Sequence, residues 1–216
     1  MSATAREPLF SAKNKKLLSD PLNDNNPVTI QVLGICSALA VTVQMKGALV
    51  MSLAVIIVTM LGNVVISSMR NVIPPRIRII VQLVVVAALV IIVDQVLKAF
   101  VYDVWKQIGV FVGLIITNCI IMGRLEAFAL SNKPWPSALD GIGNGLGYGI
   151  ILMITAFFKE LFGSGKLFGI QIIPDSFYEF GYENIGLMLL PPSSLVIVAI
   201  IIWVQKARNP KLIEAH

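Results

Sequence analysis

The chain has 216 residues, 56% hydrophobic and only 13% charged, with a mean hydropathy of +0.84. Soluble domains carry about 25% charged residues, so this composition excludes a soluble globular fold and defines an integral membrane protein. The net charge of +5 is then no nucleic-acid signal, because in membrane proteins Lys and Arg placement sets topology.

Residues 1–27 are polar, with Lys13, Lys15 and Lys16 in their middle, and read as a cytoplasmic N-terminal segment. They hold no apolar core followed by a small-residue cleavage site, so no cleaved signal peptide is expected. Charge-free windows then mark the membrane spans at 25–45, 47–69, 79–93, 107–123, 141–158 and 184–205. Six windows predict an all-α membrane domain over 28–205, followed by a cytoplasmic tail at 206–216.

The third window is short, and lengthens if Arg76 and Arg78 at one end and Asp94 and Lys98 at the other snorkel. Only Lys46 parts the first two windows, which predicts a tight turn near 45–47. The 17 residues of 107–123 sit at the lower limit for a helix that crosses a bilayer. With the N-terminus inside, the cytoplasmic side collects twelve Lys and Arg, Arg124 among them. The other side keeps five, namely Lys46, Lys98, Lys106, Lys159 and Lys166, which places both termini in the cytoplasm.

Six spans divide into two sets of three, about 28–98 and 107–205. An odd number per set inverts the second relative to the first, which is the inverted-repeat architecture. Each set opens on a short or polar-interrupted span that bears one of the two cysteines, Cys36 or Cys119. The glycine run from Asp140 to Gly149 fits no dinucleotide fingerprint. Gly141, Gly145 and Gly149 fall at i, i+4 and i+8, which predicts a smooth helix face for close packing, with an unwound helix entry as the alternative. Gly163-Ser-Gly-Lys-Leu167 reads as a turn, and Pro191-Pro192 as a kink or late start of the last helix. His216, the only histidine, is the last residue and offers no ligand or base.

Two groups of side chains carry potential chemistry. A free cysteine commonly behaves as a small buried hydrophobe, and that reading competes with any redox or metal role for Cys36 and Cys119. A [2Fe–2S] cluster takes four thiolates, so two cysteines supply half a set and would need a partner for the rest. Among ionisable residues near membrane depth, Asp94 and Asp140 are the candidate ion-pathway groups, with an Asp94–Lys98 pair as the structural alternative. Lys159 and Glu160 close the fifth helix.

Several strings then resemble one family. They are Leu33-Gly-Ile-Cys-Ser-Ala-Leu-Ala-Val-Thr42, Val93-Asp-Gln-Val-Leu-Lys98, Phe111-Val-Gly-Leu-Ile-Ile-Thr-Asn-Cys-Ile-Ile-Met-Gly-Arg124, Asp140-Gly-Ile-Gly-Asn-Gly-Leu-Gly-Tyr148 and Glu160-Leu-Phe-Gly-Ser-Gly-Lys-Leu-Phe-Gly169. They resemble the D subunits of bacterial sodium-translocating NADH:quinone reductases, over about 17–169 and again at 186–192. The membrane subunits of Rnf ferredoxin:NAD oxidoreductases share the two cysteine settings and form the second assignment.

The resemblance implies a multi-subunit inner-membrane complex that passes electrons from NADH to ubiquinone and exports Na+. It implies one [2Fe–2S] cluster near the membrane midplane, held by Cys36 and Cys119 together with two cysteines of a homologous, inverted E subunit. FAD, FMN and riboflavin are expected only in other subunits. A cofactor-free transporter subunit, which expects both cysteines to tolerate alanine, and a purely structural subunit, in which their substitution costs only stability, are the competing readings. A complete active site in this chain alone is not expected, since no nucleophile–base pair, metal triad or nucleotide loop occurs in it.

Overall fold

The computed structural model describes residues 17–22, 25–100, 102–168, 170–171 and 186–208. The charges of 1–16, most of the 170–183 stretch and the tail beyond 208 lie outside the described residues. Seven α-helices are described: α1 (Ile35–Val41), α2 (Met45–Met69), α3 (Arg78–Phe100), α4 (Tyr102–Ile116), α5 (Cys119–Arg124), α6 (Pro134–Ser164) and α7 (Pro191–Arg208). A π-helical turn, Leu125–Ala129, continues α5. The strands are a two-residue antiparallel pair, Lys166–Leu167 (β1) against Ile170–Gln171 (β2), directly after α6.

Among the described residues, four stretches are long and apolar enough to cross a membrane: Met45–Met69, Arg78–Phe100, Phe111–Ala129 and Pro134–Ser164. At 1.5 Å per residue the 25 residues of α2 span about 37 Å, more than the roughly 30 Å of hydrocarbon. α6 is the central element, with 61% of its span buried against 17% for α3, whose apolar surface faces outward. α6 starts on Pro134, where a missing N–H costs nothing. It ends on Gly165 in the left-handed region at φ 65°, whose N–H bonds back to Leu161.

The largest interface joins α2 to α6, and glycine makes it. A Cβ at Gly141 would stand 2.9 Å from Met60 Cα, at Gly145 2.9 Å from Ile56 Cα, and at Gly149 3.1 Å from Ser52 Cβ. The packing face expected at i, i+4 and i+8 is thus present, and the run is helical throughout, not unwound. A second glycine face lies beside it. Gly143 and Gly147 receive the N-terminal segment, with Leu17 O and Pro21 O 2.8 and 2.5 Å from the positions of their missing Cβ atoms. Polar stitches cross the first interface, from Asn63 Nδ2 to Ser137 O at 2.9 Å and from Ser67 Oγ to Asn132 O. In membranes each such bond contributes only about 0.6 kcal/mol, so close packing carries most of the association.

Gly145→Ala tests this. Alanine is the better helix former by about 1 kcal/mol. Overpacking against a backbone atom costs about 1–3 kcal/mol, so the net effect is expected to be destabilising. Thermal unfolding of the detergent-solubilised protein would show a lower midpoint; an unchanged or raised one would remove the packing account.

Three boundaries differ from those expected. Window 25–45 is not one helix, because Asn26 Oδ1 accepts from the N–H groups of Val28 and Thr29 and holds a turn there. Helix begins only after Gly34, in the left-handed region at φ 79°. Non-helical backbone at membrane depth is tolerated where protein buries it, and Asn26, Val28 and Thr29 are buried. This turn and the seat of 17–22 on α6 extend the packed body in front of residue 28.

The tight turn lies at 42–44, three residues before the expected 45–47, and Lys46 sits inside the first turn of α2. Window 79–93 lengthens as expected, with α3 running from Arg78 to Phe100 and carrying Asp94 and Lys98 within the helix. Window 107–123 is broken at Thr117-Asn118. The last helix has the late start on Pro191.

Arg124 and Lys159 are not loop charges either. The Arg124 side chain is 14% exposed in an ion pair and Lys159 is fully buried, so neither informs topology. One drops out of the expected count on each side.

Candidate functional site

Both cysteines sit where a membrane helix is interrupted. Cys119 is the first residue of α5, capped by Asn118, whose Oδ1 accepts from Ile120 N at 3.3 Å. Asn118 N in turn donates to Ile115 O, which closes the end of α4. Cys36 is the second residue of α1, just past left-handed Gly34. Val32, two residues before that glycine, also has positive φ at 57°, a strained state for a β-branched residue. Such strain persists only where surroundings enforce it, and it lies beside the cysteine.

The two breaks meet. The Cys36 and Cys119 side chains lie close enough for each thiol to feel the other's charge, and both are exposed at the surface. Their polar neighbours tie the breaks together from behind. Ser37 Oγ accepts from Tyr148 OH at 2.7 Å and from Asn118 Nδ2 at 3.3 Å, and donates to Gly34 O at 2.9 Å. Ser37, Asn118 and Tyr148 are all buried, so the thiols face outward from a fully bonded polar knot. A Cβ on Gly34 would stand 2.8 Å from Ile120 Cδ1 and 3.2 Å from Tyr148 Cε2. The missing side chain is what lets α1 touch α5. Ser37 and Asn118 each adjoin a cysteine inside an apolar run, which is the signal in the sequence that could have found them.

The donor set decides what this arrangement can hold. Two adjacent thiols on an open face fit one side of a four-thiolate iron–sulfur site. Among the described residues no group of three or more His, Cys, Asp or Glu could hold a metal ion.

The carboxylates occupy separate places. Asp140 is 2% exposed and is gripped by Arg124, Nε to Oδ2 at 2.9 Å and Nη2 to Oδ1 at 2.5 Å. Asn144 Nδ2 adds a third donor to Oδ1 at 3.0 Å. Because Arg124 ends the helix that Cys119 begins, this pair fixes the far end of α5 to α6. Asp94 accepts from Trp105 Nε1 at 2.9 Å, while Lys98 stands 5.1 Å over the same ring. The indole from the next helix thus takes the place of the expected Asp94–Lys98 pair. Lys159 and Glu160 diverge, the first to Ser194 Oγ and the second to Met45 N.

These features define a multi-span helical membrane protein whose two thiols meet on one face where two helices are broken. The chain belongs to the Rnf-Nqr family: the family model for Rnf-Nqr subunits, described as membrane proteins, matches residues 14–202. It is 55% identical over 201 residues to the D subunit of the Na(+)-translocating NADH-quinone reductase from Photobacterium profundum. It is 57% identical over 201 residues to the protein of the same name from Aeromonas hydrophila. Each alignment covers 93% of this chain and 96% of the relative.

Proposed function

We propose that the chain is a membrane subunit of a sodium-translocating NADH:quinone reductase in the bacterial inner membrane. In this reading Cys36 and Cys119 hold one side of a [2Fe–2S] cluster, and a homologous E subunit of inverted topology supplies two further cysteines. The observation that carries it is the pair of adjacent, exposed thiols, each on the first turn of a short helix. Names of relatives at 55–57% identity favour this assignment over the Rnf-type oxidoreductase. The architecture is six spans in two inverted sets: α1, α2 and α3, then α4–α5, α6 and α7, with both termini cytoplasmic. α7 has only 18 residues, short for a span yet within the usual range.

When bound, a [2Fe–2S] centre supplies one-electron transfer. The residues of this chain do the rest. Cys36 and Cys119 bind iron as thiolates. Ser37, Asn118 and Tyr148 hold the two short helices in register so that the sulfurs keep their spacing. Apolar neighbours such as Ile120 exclude water, which in a low-dielectric setting strengthens nearby charges and hydrogen bonds. FAD, FMN, riboflavin and the quinone belong to other subunits. For Na+, the candidate carboxylates are Asp94 and Asp140; a cation reaching Asp140 must displace Arg124.

Thiol accessibility tests the ligand assignment. In the iron-replete complex Cys36 and Cys119 are expected to resist maleimide, and both become labelled once a chelator strips the iron. Full-rate labelling of either cysteine in the iron-replete complex would overturn the assignment.

A further inference from the structure

The break between α1 and α2 is held from outside by two consecutive residues of α6. Lys159 is fully buried, and Glu160 is nearly so. Lys159 Nζ donates to Ser194 Oγ at 2.9 Å. Ser194 Oγ lies 3.2 Å from Thr42 Oγ1, and Thr42 donates to Ala38 O at 2.6 Å. This chain of bonds ends on the carbonyl edge of α1, the helix that carries Cys36. Glu160 Oε2 accepts from Met45 N at 2.6 Å, the first residue of α2. The cation therefore stands at the C-terminal end of one helix and the carboxylate at the N-terminal end of the next. Each sign suits the dipole it meets.

Anchoring alone does not require charge here. Buried charges replaced by apolar residues of similar volume often leave stability unchanged or raised. Glu160 has a helix terminus to satisfy, but Lys159 has no carboxylate partner among the described residues. Its positive charge is thus not neutralised by an ion pair there. It lies behind a helix of seven residues, about 10 Å long, with Cys36 at the other end. A protonated Lys159 behind that helix adds positive potential on the side of the sulfurs, because charges act over a longer range in a low-dielectric interior than in water.

We propose that Lys159 is a positioning residue for the Cys36 helix whose positive charge favours the reduced state of the centre bound at Cys36 and Cys119. This rests on the cluster reading above. Reduction adds one electron there, with no bond made or broken, so the more negative state gains from a nearby cation.

The test is a redox titration of the assembled complex in membranes, with dithionite as reductant and the iron signal followed by electron paramagnetic resonance. Lys159→Met is expected to keep its iron and titrate at a lower midpoint potential, while Lys159→Arg returns to the wild-type midpoint. Lys159→Gln keeps a donor for Ser194 and loses only the charge, so it should show the same fall. It also serves if the methionine variant does not assemble. With iron removed, maleimide should label Cys36 faster in Lys159→Met than in wild type, with Cys119 as the internal reference.

A variant that retains its iron at the wild-type midpoint, with unchanged Cys36 labelling, would overturn the inference and leave the cluster reading standing. A wild-type complex whose iron signal does not depend on Cys36 would overturn the cluster reading itself.

Discussion

Arg124→Met is expected to destabilise the protein by about 3–5 kcal/mol, the usual cost of leaving one member of a buried ion pair without its partner. Asp140 is 2% exposed and takes both of its charge-assisted bonds from this one guanidinium. After substitution only the Asn144 amide would remain to face a carboxylate at membrane depth. Lysine is no substitute, because a single ammonium does not reproduce the two-pronged geometry. The control is the double variant Arg124→Met, Asp140→Asn, which removes the stranded charge and should recover most of the loss. Chemical denaturation of the solubilised protein reads both outcomes. Wild-type stability in Arg124→Met would mean that the pair is not the brace it resembles.

The position of this pair sets it close to the cysteine in the chain. Arg124 lies five residues after Cys119 on one short helix, and a π turn follows at once. Such turns are frequent where a helix serves a site. α5 therefore carries Cys119 at its first residue and the Arg124–Asp140 contact at its last. The same stretch joins the candidate electron site to one of the candidate ion sites.

Much of this arrangement was legible in the sequence. Charge-free windows located the four longest spans, and the spacing of Gly141, Gly145 and Gly149 located the face that α2 packs against. Asn118 beside Cys119 marked an interrupted helix, and its side chain does cap the new start.

The remainder depended on long-range partners, which spacing along the chain does not encode. Tyr148 reaches Ser37 across 111 residues, and Glu160 reaches Met45 across 115. Trp105 captures Asp94 from the following helix, so the one-turn spacing of Asp94 and Lys98 misled. Arg124 read as a loop cation because it ends a charge-free window. Its partner lies 16 residues on, beyond a helix reversal. The second glycine face, Gly143 and Gly147, was hidden in the same run that disclosed the first. Its partner is a polar N-terminal segment that composition assigns to water.

The central claim is that Cys36 and Cys119 are ligands of one shared centre. It is tested most directly by iron content and electron paramagnetic resonance of the isolated complex, wild type beside Cys36→Ala and Cys119→Ala. Each substitution is expected to remove the same two iron atoms and to stop quinone reduction while the complex stays assembled. Iron and activity that survive both changes would contradict the claim, leaving the cysteines as packing residues at two helix breaks.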